Sequence, residues 1–134
     1  MTETLADSLH KKLSDMNIRY EKNSMELYAF SEEENKTKNN MKTIEIAKTK
    51  EIINAKNAET GKPRYKNQAE RDLALSEALY SYEFYNDYKE QHKKISFAIE
   101  EKKTNLDILK FQQRAIIVQM NYQIELIKVK NDNI

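Results

Sequence analysis

Apolar residues recur along the first half of the chain at alternating steps of four and three: Leu9, Leu13, Met16, Tyr20, Leu27 and Phe30. That spacing holds one stripe on one helix face, the a and d seam of a coiled coil. The seam lapses over residues 31–40, all polar, and resumes in register at Met41 and Ile44, then Ile52 and Ile53. The surviving register predicts one continuous helix with a weakly packed middle. A break at 31–40, giving three helices, is the alternative. The second half carries Ala74, Ala78, Tyr85, Tyr88, Ile95, Ile99, Leu106, Leu109, Ile116, Met120, Ile124 and Ile127, mostly at steps of three, four or seven. Nothing between 68 and 130 reads as a helix breaker, so a single second helix is expected.

The only glycine and the only proline, Gly61 and Pro63, fall between the two patterns. Thr4 is a candidate N-cap for the first helix, with Asp7 in its first turn. That helix should end near Ala58, with Gly61 taking the left-handed conformation that terminates it. Asn67-Gln-Ala-Glu70 has the capping-box pattern for the second helix. The expected fold is all-α: one domain, a long antiparallel two-helix coiled-coil hairpin. Its arms cover about 4–58 and 68–130, with a turn at about 59–67. Reversal near residue 62 sets residue i opposite residue near 124 − i. The polar stretch 31–40 then faces Tyr85 and Tyr88, and residues beyond about 121 outrun the first arm. Asn23, Glu34, Lys102 and Gln113 fall at seam positions, where polar side chains cost stability and fix register.

A lone hairpin has a thin core. The second arm carries further apolar residues off the seam, Phe97, Ile108, Phe111, Ile117 and Val118, and its overhang adds Ile124 and Ile127. These predict a homo-oligomer, most simply a four-helix-bundle homodimer in which the second arms pack together.

Charge and composition narrow the chemistry. Lys and Arg number 23 against 22 Asp and Glu, so no global field selects or imitates nucleic acid. With no cysteine, disulfides, thiolate metal sites and cysteine nucleophiles are excluded. His10 and His92 are the only histidines, and neither lies in a metal-binding pattern. Glu32, Glu33 and Glu34 are consecutive and diverge around a helix, and Gly61-Lys62 lacks the rest of a phosphate-binding loop. No enzyme activity, metal or cofactor is expected. The longest apolar run, residues 115–118, is far below the ~20 residues of a membrane span. The first residues lack a signal-peptide pattern, so a cytoplasmic protein without membrane contact is expected.

Two surfaces stand out. Tyr80, Tyr82, Phe84, Tyr85 and Tyr88 crowd five aromatics into nine residues and surround the helix, so one partner helix cannot cover them all. Tyrosine-rich patches suit protein partners, and aromatic platforms also stack bases. Glu83, Asp87 and Glu90 among the rings favour protein over phosphate. At the turn, Lys62, Arg64, Lys66 and Arg71 surround Tyr65, a basic tip suited to phosphates.

The segment Gly61-Lys-Pro-Arg-Tyr-Lys-Asn67 followed by Arg71 resembles a Gly-Lys-x-x-Tyr-x-Asn-x-x-x-Arg signature of small helical proteins from phages and mobile elements. Those genes often neighbour recombination genes, and Gln68 replaces the usual acidic residue after the asparagine. The resemblance implies a phage-type accessory protein acting in DNA metabolism or host defence, within the host cytoplasm. Long helical hairpins also resemble Gam-like inhibitors of host nucleases, an analogy of fold. The expected function is non-catalytic: a macromolecule-binding or scaffold coiled coil acting through protein contacts. The alternative is a nucleic-acid-associated factor in phage recombination or replication.

Overall fold

The computed structural model of the protein describes residues 4–132. They form three helices: α1 (Leu5–Asn54), α2 (Gln68–Tyr80) and α3 (Glu83–Asp132). The described residues contain no β-strand, only an isolated bridge between Lys56 and Pro63.

Thr4 caps α1, its Oγ1 accepting from the Asp7 N–H at 3.1 Å. The helix runs unbroken through 31–40. Seam spacing explains this, because Glu34 and Thr37 fill the next two positions after Phe30 and lead in step to Met41 and Ile44. Thr37 is buried, yet its hydroxyl donates to the Glu33 carbonyl at 2.9 Å, so no polar group is stranded.

α1 ends at Asn54, short of the expected Ala58. The next residues leave the helix for a small antiparallel pairing. The Arg64 N–H donates to Ala55 O at 2.9 Å and the Asn57 N–H to Lys62 O at 2.8 Å. Gly61 does adopt the left-handed conformation, at φ 68°, but it closes this loop and does not terminate α1. Its N–H donates to Asn57 O at 2.9 Å. Asn67 caps α2 as its sequence predicts, accepting from the Glu70 N–H at 2.8 Å. The Glu70 carboxylate reaches back one residue further than expected, accepting from the Lys66 N–H at 2.8 Å.

The second arm is not one helix. It breaks at Ser81 and Tyr82, with neither glycine nor proline to announce it. The Tyr82 N–H makes a tight bond to Leu79 O at 3.2 Å, and the next helix starts with the Asn86 N–H on Tyr82 O. The Asn86 side chain donates to Tyr80 O at 2.7 Å, occupying a carbonyl that the break had freed.

The break also resets the register. Thr49, Ile52 and Ile53 share a groove with Leu75, Asp72 and Arg71, as a reversal near residue 62 requires. Past the break, the pairs Asn17–Gln113, Glu34–Ser96 and Glu45–Tyr85 each have numbers adding to 130, six more than expected. Leu75 lies across from Thr49 and Tyr82 beside Lys48, so seven residues of the second arm pass for one of α1.

The chain forms two compact units. One combines α1 up to Ala29 with α3 from Ile99; the other is Phe30–Ala98. In the first, Leu9, Ile99, Leu106, Leu109 and Ile116 are buried along an antiparallel seam. Two polar layers interrupt it. Lys102 pairs with Glu26 and donates to Asn23 Oδ1 at 3.2 Å, and Gln113 donates to Asn17 Oδ1 at 2.7 Å. The hydrogen bond from Lys102 holds the Glu26 carboxyl below its ordinary range. In the Phe30–Ala98 unit, Ile52 is the one buried apolar side chain among the described residues. There the seam runs largely on polar and aromatic groups. Ser96 Oγ donates to Glu34 Oε2 at 2.9 Å, and this bond, followed by Lys38, lowers the Glu34 pKa.

Candidate functional site

The aromatic residues around the break do not form one belt. Tyr80 and Phe84 point outward, 84% and 63% exposed, whereas Tyr82, Tyr85 and Tyr88 are half-buried. The register shift carries Tyr85 past the polar stretch 31–40 to Glu45, and Tyr88 to the end of that stretch, beside Asn40. Tyr88, Tyr82 and Phe84 line a shallow groove of about 250 Å³ with Asn40, Thr43 and Ile44. The stretch 31–40 also meets His92 and Ser96, with His92 Nε2 3.8 Å from Glu34 Oε2.

Two of the half-buried rings, Tyr82 and Tyr85, have specific partners on α1. Lys48 Nζ sits 4.7 Å from the centroid of Tyr82, a cation–π contact, and Phe84 meets the same ring edge-on at 5.7 Å. Tyr85 Oη donates to Glu45 Oε1 at 2.7 Å. That bond, aided by burial and the carboxylate charge, pushes the phenol pKa up to about 12. Glu45 and Lys48 were missed by sequence reasoning, which had placed other residues opposite the rings. Tyr80 and Tyr85 flank a second groove, of about 260 Å³, with Leu79 and Lys89.

At the turn, the structure separates the candidate cations. Lys62, Arg64 and Lys66 are exposed. Tyr65 is half-buried with the Arg64 guanidinium 5.5 Å from its ring centroid. Arg71 turns toward α1, lining the groove with Thr49 and Ile52 and donating to Gln68 Oε1 at 3.4 Å. The Gly61 and Asn67 positions of the signature therefore have structural work, closing the loop and capping α2. The Lys56–Pro63 bridge brings a further exposed cation, Lys56, to the turn, which spacing along the sequence did not suggest.

On α3, all seven interface candidates are exposed: Phe97, Ile108, Phe111, Ile117, Val118, Ile124 and Ile127, each by 45% or more. Tyr122, 62% exposed, joins them and was missed. Tyr122 and Val118 meet Leu5 and Leu9 in a groove of about 460 Å³ that also includes Gln123. Pairing with α1 thus reaches beyond residue 121, where the expected overhang began. Leu126 and Val129 remain exposed, as the overhang predicts.

Among the described residues, no group of three or more His, Asp or Glu side chains is placed to hold a metal ion, and no helix is long and apolar enough to cross a membrane. Comparison with protein-family models, curated proteins and solved structures found no match.

Proposed function

We propose that the chain acts without a catalytic step, as a coiled-coil scaffold that captures a protein partner and assembles as a homodimer through the outer face of α3. The homodimer is a four-helix bundle. The resemblance of the turn to a phage and mobile-element signature supports reading the chain as an accessory or inhibitory protein of such an element, working in the host cytoplasm.

One observation carries the partner-binding reading. The break sets Tyr80 and Phe84 outward, while Tyr82 and Tyr85 are tied to Lys48 and Glu45. Exposed aromatics on a fixed mount suit a protein interface, because little side-chain entropy is lost on binding. The acids Glu83, Asp87 and Glu90 around them disfavour phosphate.

Tyr80→Ala with Phe84→Ala, and separately Lys62→Ala with Arg64→Ala, test the reading. Both rest on exposed positions, so helicity by circular dichroism should hold. Partner capture from the native host, read by mass spectrometry, should be lost only in the aromatic variant. Loss only in the turn variant, together with salt-sensitive binding of single-stranded or duplex DNA by the parent, would support a nucleic-acid factor instead.

A further inference from the structure

The second arm breaks where its sequence would carry a helix straight through. Leu75, Ala78, Tyr82 and Tyr85 follow at steps of four and three, and all four are half-buried, so the seam keeps its phase across the gap. Ser81 and Tyr82, the two residues between α2 and α3, are ordinary helix formers. The bond from the Asn86 side chain satisfies one carbonyl, that of Tyr80. A helix end frees several backbone groups, so this bond compensates for the break and does not create it.

What changes across the break is axial register. Ile52 shares a groove with Asp72, numbers adding to 124, whereas Glu45–Tyr85, Glu34–Ser96 and Asn17–Gln113 each add to 130. The offset of six residues is within one of a heptad. A heptad slide returns each seam residue to the same face, so alkyl layers are nearly indifferent to it. The polar layers are not. Without the offset, Glu34 would come opposite Glu90 and Lys102 opposite Lys22, like charges in both cases. With it, Glu34 accepts from Ser96 and Lys102 pairs with Glu26.

We infer that the polar layers impose the break. They hold α3 about one heptad out of step with α2, and without them the second arm closes into one helix and slides along α1, away from the turn. The break is thus a register-controlled element, and its product is a surface. The groove of about 260 Å³ between Tyr80 and Tyr85 reaches from Ser76 to Lys89. In one continuous helix those two residues would stand about 20 Å apart, so the groove exists only in the offset register. An occupant of the groove therefore favours the offset register over the unbroken one. The inference goes beyond the partner-binding and homodimer readings and stands without either.

The chain has no cysteine, so two introduced cysteines carry spin labels at known places. Lys50→Cys and Lys94→Cys are both at exposed positions. The labelled chain is unfolded, mixed with an excess of unlabelled chain and refolded, so that pulsed electron paramagnetic resonance reads distances within one chain. In the offset register residue 94 lies across from 36, an axial separation of about 21 Å from residue 50. In the unbroken register it lies across from 30, about 30 Å away. Two variants are compared in this labelled background. Glu34→Leu, Glu45→Leu, Lys102→Leu and Gln113→Leu together remove the polar layers, and the distance should lengthen by about 9 Å. Ser81→Ala with Asn86→Ala favours helix across the gap but leaves the polar layers, and the distance should stay short. An unchanged distance in the four-leucine variant, with helicity intact by circular dichroism, would overturn the inference. Lengthening in the second variant would also overturn it, because the break would then be local. That second comparison decides the matter even where the four-leucine variant fails to fold.

Discussion

The two units use the same heptad spacing for different ends. In the unit built from α1 up to Ala29 and α3 from Ile99, the seam is mostly alkyl, with Leu9, Leu106, Leu109 and Ile116 buried. In Phe30–Ala98 the seam positions hold Glu34, Thr37, Tyr85, Tyr88 and His92, and hydrogen bonds replace much of the alkyl packing. Alkyl layers are strong and nearly indifferent to register; polar layers are weak and specific. The first unit also bares apolar side chains along α3, whereas the second bares aromatics at a helix break. The contrast teaches that periodicity fixes the presence of a seam, and residue chemistry decides what each stretch is for.

The largest expected effect breaks the alkyl side. Leu109→Ala removes a buried side chain and should cost about 2–3 kcal/mol, the low end for such a change because the core is thin. Urea unfolding followed by circular dichroism measures it; a change below ~0.5 kcal/mol would mean that the seam is not packed as described.

Loss of the α2 cap comes next. Asn67→Ala should cost about 1 kcal/mol, since Asn67 Oδ1 satisfies the Glu70 N–H. The amide protons of α2 should exchange faster while those of Leu106 and Leu109 hold.

The polar layer of the first unit should behave differently. Lys102→Met removes the contacts to Glu26 and Asn23 and substitutes apolar packing, so stability should change by less than about 1 kcal/mol in either direction. Cross-linking between cysteines placed at residues 17 and 113 should then become less uniform, because a register pin has gone. A loss of several kcal/mol with unchanged register would reverse the roles assigned to the two kinds of layer.

The smallest effect is a titration. Tyr85 has a folded pKa of about 12 against an ordinary 10.0. The folded state thus favours the protonated phenol, and this contribution is complete below pH 10.0 and fades as pH rises through about 12. Ultraviolet difference spectra should show a late-titrating tyrosine, which Glu45→Gln moves back toward 10.0. Glu34 works in the opposite sense. Its lowered pKa gives stability that is present above its ordinary 4.5 and lost as pH falls through the depressed value.

Much of this fold is written in local spacing. Thr4 and Asn67 cap where their side chains predict, Gly61 is left-handed, and α1 crosses 31–40 because Glu34 and Thr37 keep the step of the seam. The break at Ser81 and Tyr82 was illegible because its support is the Asn86 side chain on Tyr80 O, a bond that no breaker residue signals. The partners of the aromatic residues were misplaced for the same reason, since the register on α1 changes at that break. Exposed apolar positions on α3 were readable as off-seam residues.

Light scattering of the unmutated chain at tens of micromolar tests the central claim, that the outer face of α3 is covered by a second copy. The account predicts twice 15.9 kDa, reverting to 15.9 kDa when Phe111→Lys and Val118→Lys are introduced together. A mass of 15.9 kDa for the unmutated chain, or a dimer that survives both substitutions, would contradict it.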